Sequence, residues 1–173
     1  APTTVRDVPA VLRGTIGTEV TFQGIEPVVI SGFGLVVGLN NTGGKPLPDH
    51  IQAHMERELA LNGVSSALQA PGTALHHKTP KELLRDPRVA VVKVLAAAPP
   101  GAPKGARFDV FVEAVNASSL EGGLLYSTAL HLGEPTVFGS AQTQTVGYAR
   151  GPVFINPFAD GDGAGVSETS GRI

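Results

Sequence analysis

The sequence has 173 residues, a formal net charge of −2 and no cysteine. This length fits one domain or two small ones. The near-neutral charge argues against nucleic acid as a partner. The lack of Cys excludes a disulfide framework, a thiol nucleophile and a Cys-based zinc site. No apolar run reaches the roughly 18 residues of a membrane span. The start at Ala1-Pro2 reads as processed or trimmed, with no signal peptide of its own.

The first part of the chain divides at about residue 28. An irregular N-terminal segment is predicted for residues 1–27: Pro9, Gly14 and Gly17 interrupt residues 3–18, and residues 19–22 alternate as an exposed strand does. Residues 28–30 are apolar and β-branched, and they lead into an apolar, glycine-rich stretch that continues to residue 39. We therefore expect a buried strand there, followed by a polar loop to Pro48.

A helix is predicted at about residues 50–62. Asp49 has the character of an N-cap, with Gln52 three residues later as its capping-box partner. Asn62-Gly63 supplies a stop signal. The apolar positions fall on one face at i, i+4 spacing: Ile51, Met55 and Leu59.

A second, shorter helix is predicted at about residues 80–86. Thr79 can cap it, Pro80 suits the first helical position, and Glu82 completes a capping box. Pro87 ends the helix near Arg85, because proline disfavours helical backbone at the preceding residue.

The remaining segments predict mainly strands, and residues 157–173 predict a flexible Gly-, Asp- and Ser-rich linker to a missing downstream domain. Irregular spacing of strands and helices favours an α+β fold: a strand-rich mixed sheet with two helices, and one domain over residues 28–156. The expected strands are Val64–Leu75 (with a turn), Val89–Ala97, Phe108–Glu113, Leu124–Leu132 and Thr136–Val146.

The glycine-rich stretch is the strongest motif, and we interpret it as structural. Glycines permit positive φ or a close approach of neighbouring backbone. A phosphate loop would need Gly where Leu39 stands and Ser or Thr where Pro46 stands. A dinucleotide fingerprint fails on spacing as well. The motif residues are Gly32, Gly34, Gly38, Asn40 and Gly43.

Two candidate metal sites are weaker than their structural alternatives. His50 and His54 lie four residues apart on the first predicted helix, and His76-His77 follow, but the spacing places no third ligand. Asp160-x-Asp162 resembles the start of a calcium loop, yet Gly171 stands where the bidentate carboxylate belongs. The sequence therefore predicts no catalytic, cofactor-binding or metal-binding residue.

Several collinear blocks resemble the bacterial flagellar P-ring protein family, in its N-terminal portion. The most specific is residues 31–43, with an aromatic between two glycines and the run Gly-Leu-Val-Val-Gly-Leu. Residues 76–87 resemble an insertion relative to the family. The other matching blocks are Met55–Leu59 with Asn62–Val64, Val89–Ala97 with Pro99-Pro100, Gly105–Val110, Ala117–Gly123 with Thr128–Leu130, and Ser170–Ile173.

The resemblance implies a non-catalytic structural subunit of the periplasm. Many copies would associate into a ring, a bushing around the flagellar rod, in contact with outer-membrane ring proteins and peptidoglycan. It implies no cofactor and no nucleic acid. Two alternatives stay open: a periplasmic scaffold or binding protein that shares the fold but is not flagellar, and a metal-dependent enzyme that uses His50, His54 and His76-His77.

Overall fold

A computed structural model describes residues 26–61, 78–133, 144–155 and 170–173, together with Pro9 and Val11. These residues form six strands and two helices. In chain order they are β1 (Val28–Val37), α1 (Asp49–Leu61), α2 (Pro80–Leu84), β2 (Val89–Ala98), β3 (Phe111–Ala114), β4 (Leu124–Leu132), β5 (Gly147–Pro152) and β6 (Ser170–Arg172).

The six strands form one sheet in the order β5-β4-β1-β2-β3-β6. The sheet curls until its two edges meet, because Phe154, just after β5, exchanges two backbone hydrogen bonds of 2.8 Å with Arg172 of β6. The fold class, strand-rich α+β with two helices, is confirmed. The expected mixture of parallel and antiparallel pairs is not found, since every pairing between the described strands is antiparallel.

Alternation along the strands separates an inner from an outer surface. On β1, Ile30 and Val36 point inward, and the intervening Leu35 points outward. Because the sheet curls, the inward side chains of all the long strands pack against one another. Their apolar surface is therefore removed from water although no second sheet covers it. The inner core includes Val92, Val94, Val112, Leu125, Leu130 and Ala149.

The two helices cover one end of the outer surface. Met55 and Leu59 of α1 and the Leu83-Leu84 pair of α2 are buried against the outward side chains of β1 and β2. The covered strand residues are Leu35, Val89 and Val91. The periodicity of α1 therefore predicted its buried face correctly, and this second core fixes the helices beside the turn that follows β1.

The capping predicted from the sequence is confirmed at one helix N-terminus and wrong at the other. At α2 the capping box is present: Thr79 Oγ1 accepts from the Glu82 backbone N–H, and the Glu82 carboxylate accepts from the Thr79 backbone N–H at 2.9 Å. At α1 the expected box is wrong. Asp49 is the first helical residue, the Pro48 carbonyl accepts from Gln52, and the Gln52 side chain donates forward to Glu56 at 2.7 Å.

Several strand boundaries need correction. β2 and β4 match their predicted ranges closely, whereas β3 begins at Phe111 and is only four residues long. β5 was not predicted as a strand. Residues 170–172, expected in the flexible linker, form β6 between β3 and Phe154 instead. The predicted segments that lie outside the described residues are most of 1–27, Val64–Leu75, most of Thr136–Val146, and 157–169.

Candidate assembly surface

The glycines of β1 lie where neighbouring backbone comes very close. A Cβ on Gly32 would overlap the carbonyl oxygen of Ala129, and a Cβ on Gly34 would overlap the hydroxyl of Thr128. The register of β1 with β4 shifts between Ser31 and Val36, so β4 bulges beside both glycines. The absence of side chains at 32 and 34 therefore leaves room for that bulge.

The other motif residues form the turn after β1. Gly38 has φ +83°, and a Cβ on Gly43 would overlap the carbonyl oxygen of Val89. The Gly43 N–H donates to the Pro87 carbonyl at 2.8 Å. Asn40 is exposed, and its neighbour Asn41 adopts the left-handed conformation with φ +57°. The turn is thus held by backbone contacts to the start of β2.

A buried Asn116 joins the loop after β1, the end of α2 and the start of β2. Its Oδ1 accepts from the Val91 N–H at 2.6 Å, and its Nδ2 donates to the carbonyls of Lys45 at 3.1 Å and Leu84 at 3.4 Å. The side chain satisfies backbone groups that would otherwise be unpaired in the core, which is costly. Nothing in the sequence analysis pointed to Asn116, so its structural role was missed.

Asp86 forms a charged cluster beside the turn. Its buried carboxylate accepts from Lys78 Nζ, from the Arg88 backbone N–H at 2.8 Å and from the Arg88 guanidinium at 3.2 Å. Burial raises the pKa of Asp86, but the hydrogen bonds from Arg88 and Lys78 outweigh it and hold that pKa well below the ordinary 3.8. The cluster fixes the link from α2 to β2.

Of the candidate metal residues, the structure describes His50 and His54, which lie one turn apart on α1. The ring of His54 packs edge-on against Phe33, with 5.7 Å between centroids. Across the ranges that can be described, no group of three or more His, Cys, Asp or Glu side chains has an arrangement able to hold a metal ion. His76, His77, Asp160 and Asp162 lie outside those ranges.

The outer surface beyond the helices carries exposed apolar side chains. The strand alternation points them outward, opposite the inner core, and Tyr148 is the most exposed at 72%. Contiguous exposed apolar side chains are typical of contact sites between proteins, and Phe111 and Phe154 flank Arg172 of β6 on this surface. We call this set the outer wall: Val29, Phe111, Leu124, Tyr126, Tyr148 and Phe154.

Comparison with known proteins tests the family resemblance found in the sequence. The family model described as flagellar P-ring protein matches residues 16–172. The chain belongs to the flagellar P-ring protein family. This confirms the resemblance that the glycine-rich motif and the later blocks indicated.

Relatives within the flagellar P-ring family share a similar level of identity. The flagellar P-ring protein of Nitratidesulfovibrio vulgaris is 33% identical over 141 residues, 78% of this chain and 35% of that protein. The Nitrosospira multiformis protein is 39% identical over 127 residues, 70% of this chain and 30% of its own length. The Caulobacter vibrioides protein is 29% identical over 164 residues, 94% and 39% respectively. The chain thus spans about a third of the length of these P-ring proteins.

The glycine-rich motif and the outer wall lie in different parts of the molecule. The motif glycines lie inside the sheet and at one turn, whereas the outer wall consists of residues that no motif marks. Alternation along β4 and β5 could have indicated Tyr126 and Tyr148, but β5 was not predicted. Within the described ranges, neither helix is long and apolar enough to cross a bilayer.

Proposed function

We propose that this chain is a non-catalytic structural subunit of a flagellar basal-body P-ring, a periplasmic bushing around the rod. The match of the P-ring family model to residues 16–172 carries the proposal. The fold supports the proposal, because a ring subunit contacts its neighbours through rigid faces. The curled sheet with its two packed cores supplies a rigid face. Function then rests on contact and on no reacting group.

The proposal includes self-association into a ring, with the rod, outer-membrane ring proteins and peptidoglycan as further partners. A ring needs two different surfaces that fit each other from copy to copy. The outer wall is our candidate for one of them. The motif residues Gly32, Gly34, Gly38, Asn40 and Gly43 have a structural role in this proposal: they keep β1 and its turn tightly packed.

We further propose that residues 28–156 form the P-ring-like domain and that β6 completes its barrel. The two backbone bonds between Phe154 and Arg172 support the inclusion of β6. The alternative, an envelope scaffold or binding protein outside the flagellum, is not favoured, because the family model and the relatives named above are all flagellar P-ring proteins.

A chimera tests this function. In a Caulobacter vibrioides strain without its own P-ring protein, the matching region of that protein is replaced by this chain, which aligns over 164 residues. The proposal predicts visible P-rings in isolated basal bodies and restored swimming. A chimera that accumulates to the normal level in the periplasm but forms no ring would contradict it.

A further inference from the structure

β4 contains one residue more than the strands on its two sides can pair. Residues 126–130 of β4 lie opposite residues 32–35 of β1. On the other side of β4, residues 126–127 lie opposite Arg150 of β5. Both neighbouring strands therefore place the extra residue at the same point. The result is a β-bulge in a strand that is paired on both sides.

The bulge reverses the side-chain alternation along β4. In a regular strand, residues an odd number apart point to opposite faces of the sheet. Leu125 and Leu130 are nevertheless both buried in the inner core. If the strand kept the alternation of Leu130 without a bulge, Leu124 and Tyr126 would point into the core. Leu125 would then point outward.

The hydrophobic pattern of β4 favours that regular alternation. The even positions carry most of its large apolar side chains: Leu124, Tyr126, Leu130 and Leu132. The odd positions after Leu125 carry Ser127, Ala129 and His131. The bulge therefore leaves two side chains exposed that a regular strand would bury, Leu124 at 49% and Tyr126 at 59%. Their exposure costs stability, and exposed apolar patches are typical of surfaces that contact other proteins.

Gly34 and Thr128 hold the bulge in this position. The buried Thr128 hydroxyl donates to the Tyr126 carbonyl at 2.8 Å, which fixes the backbone of the bulge. The same hydroxyl lies over Gly34, in the space that a Cβ would occupy. A Cβ there would also come within 3.0 Å of Leu125 Cδ1. Glycine at position 34 is therefore required for Thr128 to lie where it binds the bulge.

We propose that Gly34 and Thr128 are positioning residues for the subunit contact. They hold the bulge that turns Leu124 and Tyr126 onto the outer wall, and they touch no partner themselves. The glycine-rich motif of β1 thus shapes the outer surface through β4. The proposal rests on the proposed role of the outer wall in ring assembly, but the orientation of Tyr126 can be measured without any ring.

Thiol labelling tests where the β4 side chains point, and it is site-specific because the chain contains no Cys. Leu125→Cys and Tyr126→Cys are each made in the parent chain and in Gly34→Ala, and the rate of modification by a water-soluble maleimide is measured. Gly34→Ala removes the space for the bulge, so we expect about tenfold slower labelling at 126 and about tenfold faster labelling at 125. Changes of opposite sign report a shift in register, whereas a general loss of stability would speed both reactions.

A milder variant and a control complete the labelling experiment. Thr128→Val keeps the shape of the side chain and removes the hydroxyl that binds the Tyr126 carbonyl, so it tests the bulge even where Gly34→Ala fails to fold. We expect the same opposite changes, of about fivefold, because one buried hydrogen bond is lost. Gly147→Ala is the control, since its added Cβ meets nothing within 4 Å, and it should leave both rates unchanged.

The Caulobacter chimera then separates this proposal from the proposed function. Thr128→Val should lower the number of P-rings, whereas Thr128→Ser, which keeps the hydroxyl, should retain them. Labelling rates that stay unchanged, or that rise together at 125 and 126, would overturn the positioning role whatever the rings do. Opposite labelling changes with a normal number of rings would show that the bulge is held as described, and would overturn the use of Leu124 and Tyr126 in subunit contact.

Discussion

Glycine at positions 32, 34 and 43 determines how closely the neighbouring strands approach β1 and the turn that follows it. At Gly32 and Gly43 the obstacle to a Cβ is a backbone carbonyl oxygen, which cannot rotate away as a side chain can. A methyl group at Gly32 or Gly43 would therefore displace β4 or β2, respectively.

The variant Gly32→Ala should therefore destabilise the fold by about 1–3 kcal/mol, the usual cost of overpacking a tight interior. Gly147→Ala is the matched control, because nothing lies within 4 Å of its added Cβ, and it should change stability by less than about 0.5 kcal/mol. Chemical denaturation of both variants checks this. Equal denaturation midpoints for the two variants would show that the close approach at Gly32 does not affect the stability of the fold.

Asp86 makes the free energy of unfolding depend on pH, with lower stability at acidic pH. Its pKa in the folded state lies below the ordinary 3.8, so its stabilising effect is complete above about pH 4 and is lost as the pH falls through the folded-state value. Asp86→Asn should cost about 1–2 kcal/mol at pH 7, a modest figure because Lys78 and Arg88 are partly exposed.

The difference in unfolding free energy between the parent chain and Asp86→Asn should shrink steadily below about pH 4. Glu121→Gln, at an exposed position after Ser119, serves as a control and should behave like the parent chain. A difference that stays constant down to pH 2 would mean that the Asp86 charge does not stabilise the link from α2 to β2.

At the scale of the element, α2 depends on its cap more than on its length. It has only five residues, so intrinsic propensity contributes little. Thr79→Ala should cost about 1 kcal/mol, whereas Thr79→Ser keeps the hydroxyl and should retain most of the stability. Thermal unfolding distinguishes them. If the alanine variant melts with the serine variant, packing of Leu83 and Leu84 alone holds this helix.

Local signals predicted some elements well and others poorly, for identifiable reasons. The Thr79-Pro80-Glu82 cap and the apolar alternation of β4 are complete within a few residues, so the sequence suffices for them. β5 contains two glycines and a proline in six residues, and only its pairing with β4 makes it a strand. β6 likewise depends on partners distant in sequence. The buried partners of Asn116 come from the loop after β1, from α2 and from β2, and they leave no local pattern.

At the scale of the whole molecule, the residues that stabilise the barrel differ from the residues proposed to contact other subunits. The inner core, the motif glycines and the Asp86 cluster hold the fold, whereas on the outer wall Tyr148 is 72% exposed and Phe111 is 59% exposed, with the Arg172 guanidinium 5.7 Å from the centroid of the Phe111 ring. Polar substitutions at these two positions should therefore leave folding intact. The account predicts that they act on ring assembly alone.

The most direct test introduces Phe111→Ser and Tyr148→Ser together into the Caulobacter chimera and counts P-rings in isolated basal bodies by electron microscopy. Lys81→Ser in the same chimera is the exposed control. The account predicts normal protein levels and an unchanged melting temperature, with rings lost in the double variant and kept in the control. Rings at the control level in the double variant would contradict the assignment of the outer wall to subunit contact.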